Sequence, residues 1–89
     1  MMNKHLTVNI PEGLHFRALA KFLKIFREQQ CSVVFAKENG EKANSDSYVE
    51  MLALYAIMGT TLQVTVNGFN ETNTLKMIEE VFEKGAGVR

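Results

Sequence analysis

Leu6, Val8 and Ile10 alternate with Thr7 and Asn9, and this two-residue period predicts a half-buried strand. Pro11 has no N–H to give and holds Ile10 extended, so the strand is expected to end there, with Glu12-Gly13 turning the chain. From His15 or Phe16 to about Gln29 the period lengthens. Phe16, Leu19, Ala20, Leu23 and Phe26 predict the core stripe of a helix. Phe22 and Ile25 widen that stripe, so one of them is expected at partial exposure. Cys31, Val33 and Phe35 then alternate with Ser32, Val34 and Ala36, a second strand apolar on both faces and therefore interior. Asn39-Gly40 predicts a hairpin with a type I′ turn. The returning strand, roughly Glu41 to Asn44, is short and polar, as suits a sheet edge. Ser47 and Glu50 have capping-box spacing, with Glu50 reaching back to the Ser47 amide. The short helix that follows is expected to pack through Met51, Leu52 and Tyr55 and to end near Gly59. Leu62, Val64 and Val66 alternate with Thr61, Gln63 and Thr65 in a fourth strand, and Asn67-Gly68 turns. Asn70 is placed to cap a last helix that carries Leu75, Ile78 and Phe82, with Glu71 at its favourable end. Gly85-Ala86-Gly87 is expected to stop it and leave a loose tail.

The predicted order is β-α-β-β-α-β-α. This is the split βαβ plan of an α+β protein: a four-stranded antiparallel sheet with three helices on one face. A length of 89 residues suits one domain over 1–89. Ten basic residues balance ten acidic ones, which removes the global field that would hold nucleic acid or a membrane surface. One cysteine excludes an internal disulfide and a cysteine-cluster metal site. The opening MMNKHLTVNI has no uninterrupted apolar run, and no stretch has the length of a membrane span. A cytoplasmic protein without metal or cofactor is the expectation.

Candidate chemistry gathers at Gly13-Leu14-His15-Phe16-Arg17, where strand period gives way to helix period. A helix N-terminus there offers backbone amides and the positive pole of the dipole, beside an imidazole and a guanidinium. Such an end suits an anion, so His15 is placed to carry or contact a phosphoryl group; the alternative is that it only caps the helix. Arg17, Lys21, Lys24 and Arg27 form a basic stripe without an acid, readable as a solvated face or as a docking surface for an acidic partner. Tyr48 and Val49, in the first turn of the short helix, either pack locally or form a small sticky patch. Cys31 reads as a small core residue.

Gly13-Leu14-His15-Phe16-Arg17 resembles the active-site segment Gly-Leu-His-Ala-Arg-Pro-Ala of HPr, the histidine phosphocarrier family of the bacterial phosphotransferase system. Asn44-Ser45-Asp46-Ser47-Tyr48-Val49 is similar to that family's Asn-x-x-Ser-Ile-Met, and Asn67-Gly68-Phe69-Asn70-Glu71 to its turn into the last helix. The resemblance spans nearly the whole chain. It implies an open-faced β-sandwich of four antiparallel strands and three helices. It implies that His15 accepts a phosphoryl group on Nδ1 from enzyme I and passes it to the A component of a sugar permease. Arg17 and the amides of Phe16 and Arg17 would stabilise the charge. It implies docking through Phe16, Lys21, Lys24, Arg27, Tyr48 and Val49. It further implies Ser47 as a regulatory phosphorylation site, with an HPr kinase and a catabolite-control transcription regulator as partners. The chain would be a monomeric carrier, a substrate of phosphotransferases and not itself an enzyme.

The chain also departs from the family pattern. Ala18 stands in place of proline and Phe16 in place of a small alanine. Glu12 occupies a position where the family often has a hydroxyl or amide able to help the phosphate. Asp46 and Glu50 replace a common lysine and glycine, so a phosphate on Ser47 would meet two acids. These departures motivate an alternative, an HPr-like regulatory binding module with little or no phosphotransfer. An RNA-binding or small-ligand α+β domain is a third reading; the neutral charge and polar strands without interleaved aromatics argue against RNA.

Overall fold

The computed structural model describes residues 1–10, 13, 14 and 16–84. Over them the chain runs β1 (Met2–Thr7), α1 (Phe16–Gln29), β2 (Cys31–Lys37), β3 (Lys42–Asn44), α2 (Tyr48–Ala53), β4 (Thr61–Gly68) and α3 (Glu71–Lys84). The Pro11 strand stop, Glu12 and the Gly85-Ala86-Gly87 helix stop lie outside the described residues. The sheet is antiparallel throughout, in the order β1-β4-β2-β3. β4 opposes Val66 to both Met2 and Val33, and Val64 to both Lys4 and Phe35. One sheet face therefore carries Val33, Phe35, Ala43, Leu62, Val64 and Val66, all buried under the helices. The other face is left open. This is the expected open-faced β-sandwich, with β2 interior and β3 at an edge.

Phe22 of α1 is the centre of the core. Its ring lies 5.5 Å from Phe35, 5.6 Å from Phe82 and 6.0 Å from Phe26. The Phe35 pair is edge-on, the Phe82 pair tilted and the Phe26 pair stacked, and aromatic pairs of these kinds add about 0.5–1.5 kcal/mol each to the gain from burial. α3 closes the layer through Leu75, Ile78, Val81 and Phe82, and Lys4 of β1 pairs with Glu79 above it.

Several expectations fail in instructive ways. β1 lies earlier than the Leu6–Ile10 alternation indicates, because at Asn9 the chain leaves β4: its N–H donates to Phe82 O of α3. The buried stripe of α1 is Ala18, Leu19, Phe22, Ile25 and Phe26. Phe22 and Ile25 are both buried, whereas Phe16 and Ala20, assigned to the stripe, are exposed. The β2–β3 turn is not type I′, which needs positive φ at two central residues. Only Gly40 has it; Gly40 N–H donates to Lys37 O, and Asn39 Oδ1 accepts from Glu41 N–H. The capping box is half made. Ser47 Oγ accepts from Glu50 N–H, but the Glu50 carboxylate accepts from Asn44 N–H, while Ser47 N–H donates to Asn44 O. α2 ends at Ala53, well before Gly59; Met51 is buried as expected, but Leu52 and Tyr55 are exposed, and Leu54 and Ala56 fill the core in their place. Asn67 and Gly68 continue β4 opposite Ser32 and Cys31, so the turn comes later. Asn70 holds the cap position through its carbonyl, while its side-chain amide donates to Gln29 O.

Candidate functional site

Gly13 and Leu14 precede α1, whose first residues are Phe16 and Arg17. His15 lies outside the described residues, so the site is built from what frames it. Gly13 has φ +74°, and its N–H donates to Ile10 O. Leu14 is buried, and its N–H donates to Ala56 O at 2.9 Å. A Cβ on Gly13 would stand 2.6 Å from that same oxygen. The loop that delivers residue 15 is thus pressed against the backbone after α2 with no space to spare. Nothing in the residue pattern marks Ala56 and Ile57 as this buttress.

Phe16 and Arg17 open α1, both on its exposed side. Amides in a first helical turn point along the axis toward the N-terminal end, where an anion accepts from them. Ala18, in the proline position, is fully buried and continues the helix without a break.

Lys21, Lys24 and Arg27 are all exposed. Their row drifts around the helix. Lys21 and Arg27 are about 120° apart around the helix. Lys21 and Lys24 flank a groove of about 290 Å³ between α1 and α3, whose lining includes Glu28 and Glu80. Arg27 lines a separate groove with Ser45 and Asp46. The stripe is therefore not free of acids, because Glu28 sits one turn beyond Lys24.

The apolar exposure is more concentrated. Among the described residues, seven of the nine exposed large apolar side chains belong to the start of α1, to α2 or to the loop after it: Phe16, Tyr48, Val49, Leu52, Tyr55, Ile57 and Met58. The Leu14–Ala56 hydrogen bond joins these segments. Tyr48 and Val49 are exposed, and the residue pattern missed that the apolar exposure extends to Leu52, Ile57 and Met58. Ser47 stands at the N-cap of α2 beside exposed Asp46. Cys31 is buried, with Thr74 Oγ donating to its sulfur. No group of three His, Cys, Asp or Glu residues is placed to hold a metal among the described residues, and no helix there is long and apolar enough to cross a membrane.

Known proteins resemble this chain along nearly its whole length. A family model described as the PTS HPr component phosphorylation site matches residues 2–84. The phosphocarrier protein HPr of Xylella fastidiosa (strain Temecula1) is 30% identical over 83 residues, covering 93% of this chain and 92% of that one. The phosphocarrier protein NPr of Proteus mirabilis is 27% identical over 73 residues, covering 82% and 81%. The fold matches that of a phosphocarrier protein HPr from Bacillus anthracis, with a TM-score of 0.82 at 20% identity over 91% of this chain and 95% of the other. It also matches HPr-C-His from Thermoanaerobacter tengcongensis, with a TM-score of 0.84 at 21% identity over 94% and 93%. With a phosphorylation-site model spanning nearly the whole chain and relatives aligned almost end to end, the chain belongs to the PTS HPr family.

Proposed function

We propose that this chain is a phosphoryl-group carrier of the phosphotransferase system, acting in the cytoplasm on the phosphohistidine route. One observation carries the reading: the matched family model is that of a phosphorylation site, and its span contains Gly13-Leu14-His15-Phe16-Arg17. His15 is the phosphoacceptor. Its Nδ1 attacks the phosphorus of phosphorylated enzyme I, the donor's nitrogen–phosphorus bond breaks as the new one forms, and the donor histidine keeps the electron pair. The A component of a permease then takes the group by the same exchange. The Arg17 guanidinium and the amides of Phe16 and Arg17 stabilise the charge without enclosing it. Partners dock on Phe16, Tyr48 and Val49, with Lys21, Lys24 and Arg27 steering acidic surfaces. Ser47 is the regulatory position, where added phosphate would displace a helix cap and face Asp46 and Glu50.

The test is incubation with enzyme I and radiolabelled phosphoenolpyruvate. The expected result is acid-labile label that His15→Ala abolishes. No label under conditions that charge an ordinary HPr would overturn the proposal, and would favour a binding module instead.

A further inference from the structure

We propose that Lys37 is a positioning residue for the His15 site, an inference that rests on the phosphocarrier reading. Tyr55 follows the C-cap of α2 with φ +52°. A bulky side chain in the left-handed region is an outlier that the surroundings must hold in place. Burial of its own ring does not do so, because Tyr55 is 75% exposed. α2 also has no basic residue in its last turn to meet its C-terminal carbonyls.

Lys37, at the end of β2, brings a cation from another element to the residue just beyond the α2 C-cap. Its Nζ donates to Tyr55 O at 3.4 Å and pairs with Glu41 Oε1, also at 3.4 Å, across the hairpin. Only 21% of its side chain is exposed. The next residue, Ala56, is buried, and its carbonyl accepts the Leu14 N–H at 2.9 Å. Leu14 immediately precedes His15. A continuous set of contacts therefore runs from Glu41 through Lys37, Tyr55 and Ala56 to the loop that carries the phosphoacceptor. The ammonium fixes the Tyr55 carbonyl, the turn at Tyr55 aims the Ala56 carbonyl, and that carbonyl anchors the loop. Without the tie, Tyr55 relaxes toward negative φ and the anchor swings away.

The test uses amide exchange by NMR together with the kinetics of charging by enzyme I. Lys37→Met keeps the apolar stem and removes the ammonium. The Leu14 amide is expected to exchange about ten-fold faster, the loss of roughly one hydrogen bond, with Val64 and Val66 amides unchanged. The maximal rate of charging is expected to fall while KM for enzyme I stays constant. Lys37→Arg should restore both. In a Tyr55→Gly background, where positive φ costs nothing, Lys37→Met should become nearly silent. Unchanged exchange at Leu14, equal acceleration at Leu14, Val64 and Val66, or an effect that persists in the Tyr55→Gly background would each overturn the proposal. Exchange at Leu14 needs no phosphate. A wild-type chain that takes no label therefore defeats the carrier reading while the exchange data still decide the tie.

Discussion

Gly13→Ala separates the backbone clamp from ordinary loop strain. At φ +74° an alanine incurs about 1–2 kcal/mol for the left-handed conformation. Its Cβ would also lie 2.6 Å from Ala56 O and 3.0 Å from Ile57 Cα. Both neighbours are backbone, so neither can swing aside as a side-chain tip would. Relief requires the two segments to part, which removes the Leu14–Ala56 hydrogen bond and about 0.5–1.5 kcal/mol. The sum is about 1.5–3.5 kcal/mol, or roughly 6–28 °C in Tm for a domain of this size. Gly40→Ala is the control. Gly40 has φ +98° with nothing within 4 Å of an added Cβ, so it carries the conformational cost alone, about 1–2 kcal/mol. Loss of unfolded-state freedom on replacing glycine offsets both variants alike and cancels in the comparison. Urea unfolding followed by circular dichroism measures the difference. If Gly13→Ala costs no more than Gly40→Ala, the loop is not clamped as described.

Ser47→Ala removes the oxygen that accepts Glu50 N–H and should lower the unfolding free energy by about 1 kcal/mol in a urea titration, with a wild-type midpoint counting against a capping role. The Glu71 carboxyl is held below its ordinary value of 4.5, first by its ion-paired hydrogen bond to the N-terminal ammonium and then by Gly68 N–H. Because the folded value is lowered, this stabilisation is full above pH 4.5 and disappears as pH falls through the lowered value. Glu71→Gln should therefore flatten the acid limb of the stability curve, and an unchanged limb would refute the assignment.

Much of this fold could be read from the residues because strand alternation survives packing. Val33 and Phe35, and Leu62, Val64 and Val66, face the core as their period requires. Helix α1 was harder to phase. Apolar residues at Phe16, Leu19, Ala20, Phe22, Leu23, Ile25 and Phe26 support two overlapping stripes, and the contacts of Phe22 with Phe35 and Phe82 decide between them. Local rules failed where a distant group competed. Asn44 N–H took the Glu50 carboxylate that a capping box assigns to Ser47. Tyr55 gave no sign of its positive φ, because nothing in a tyrosine announces it. The Gly13–Arg17 segment was legible as a motif. Its buttress was not, because the Leu14–Ala56 contact joins residues 42 positions apart (14 to 56), and no periodicity encodes that.

The strand order also dictates how the chain can assemble. β4 is the penultimate element, yet it lies between β1 and β2 in the sheet. Its pairing with β1 joins Met2 to Val66 and Thr7 to Thr61, 64 and 54 residues along the chain. Closing such long loops makes folding slower than in proteins built from local pairs. During synthesis β1 leaves the ribosome first and waits without a neighbour, while α1 and the β2–β3 hairpin can form from contacts close in sequence. Emergence of Thr61–Gly68 is therefore the committing event, and any truncation before it leaves β1 unpaired and one edge of β2 open to aggregation.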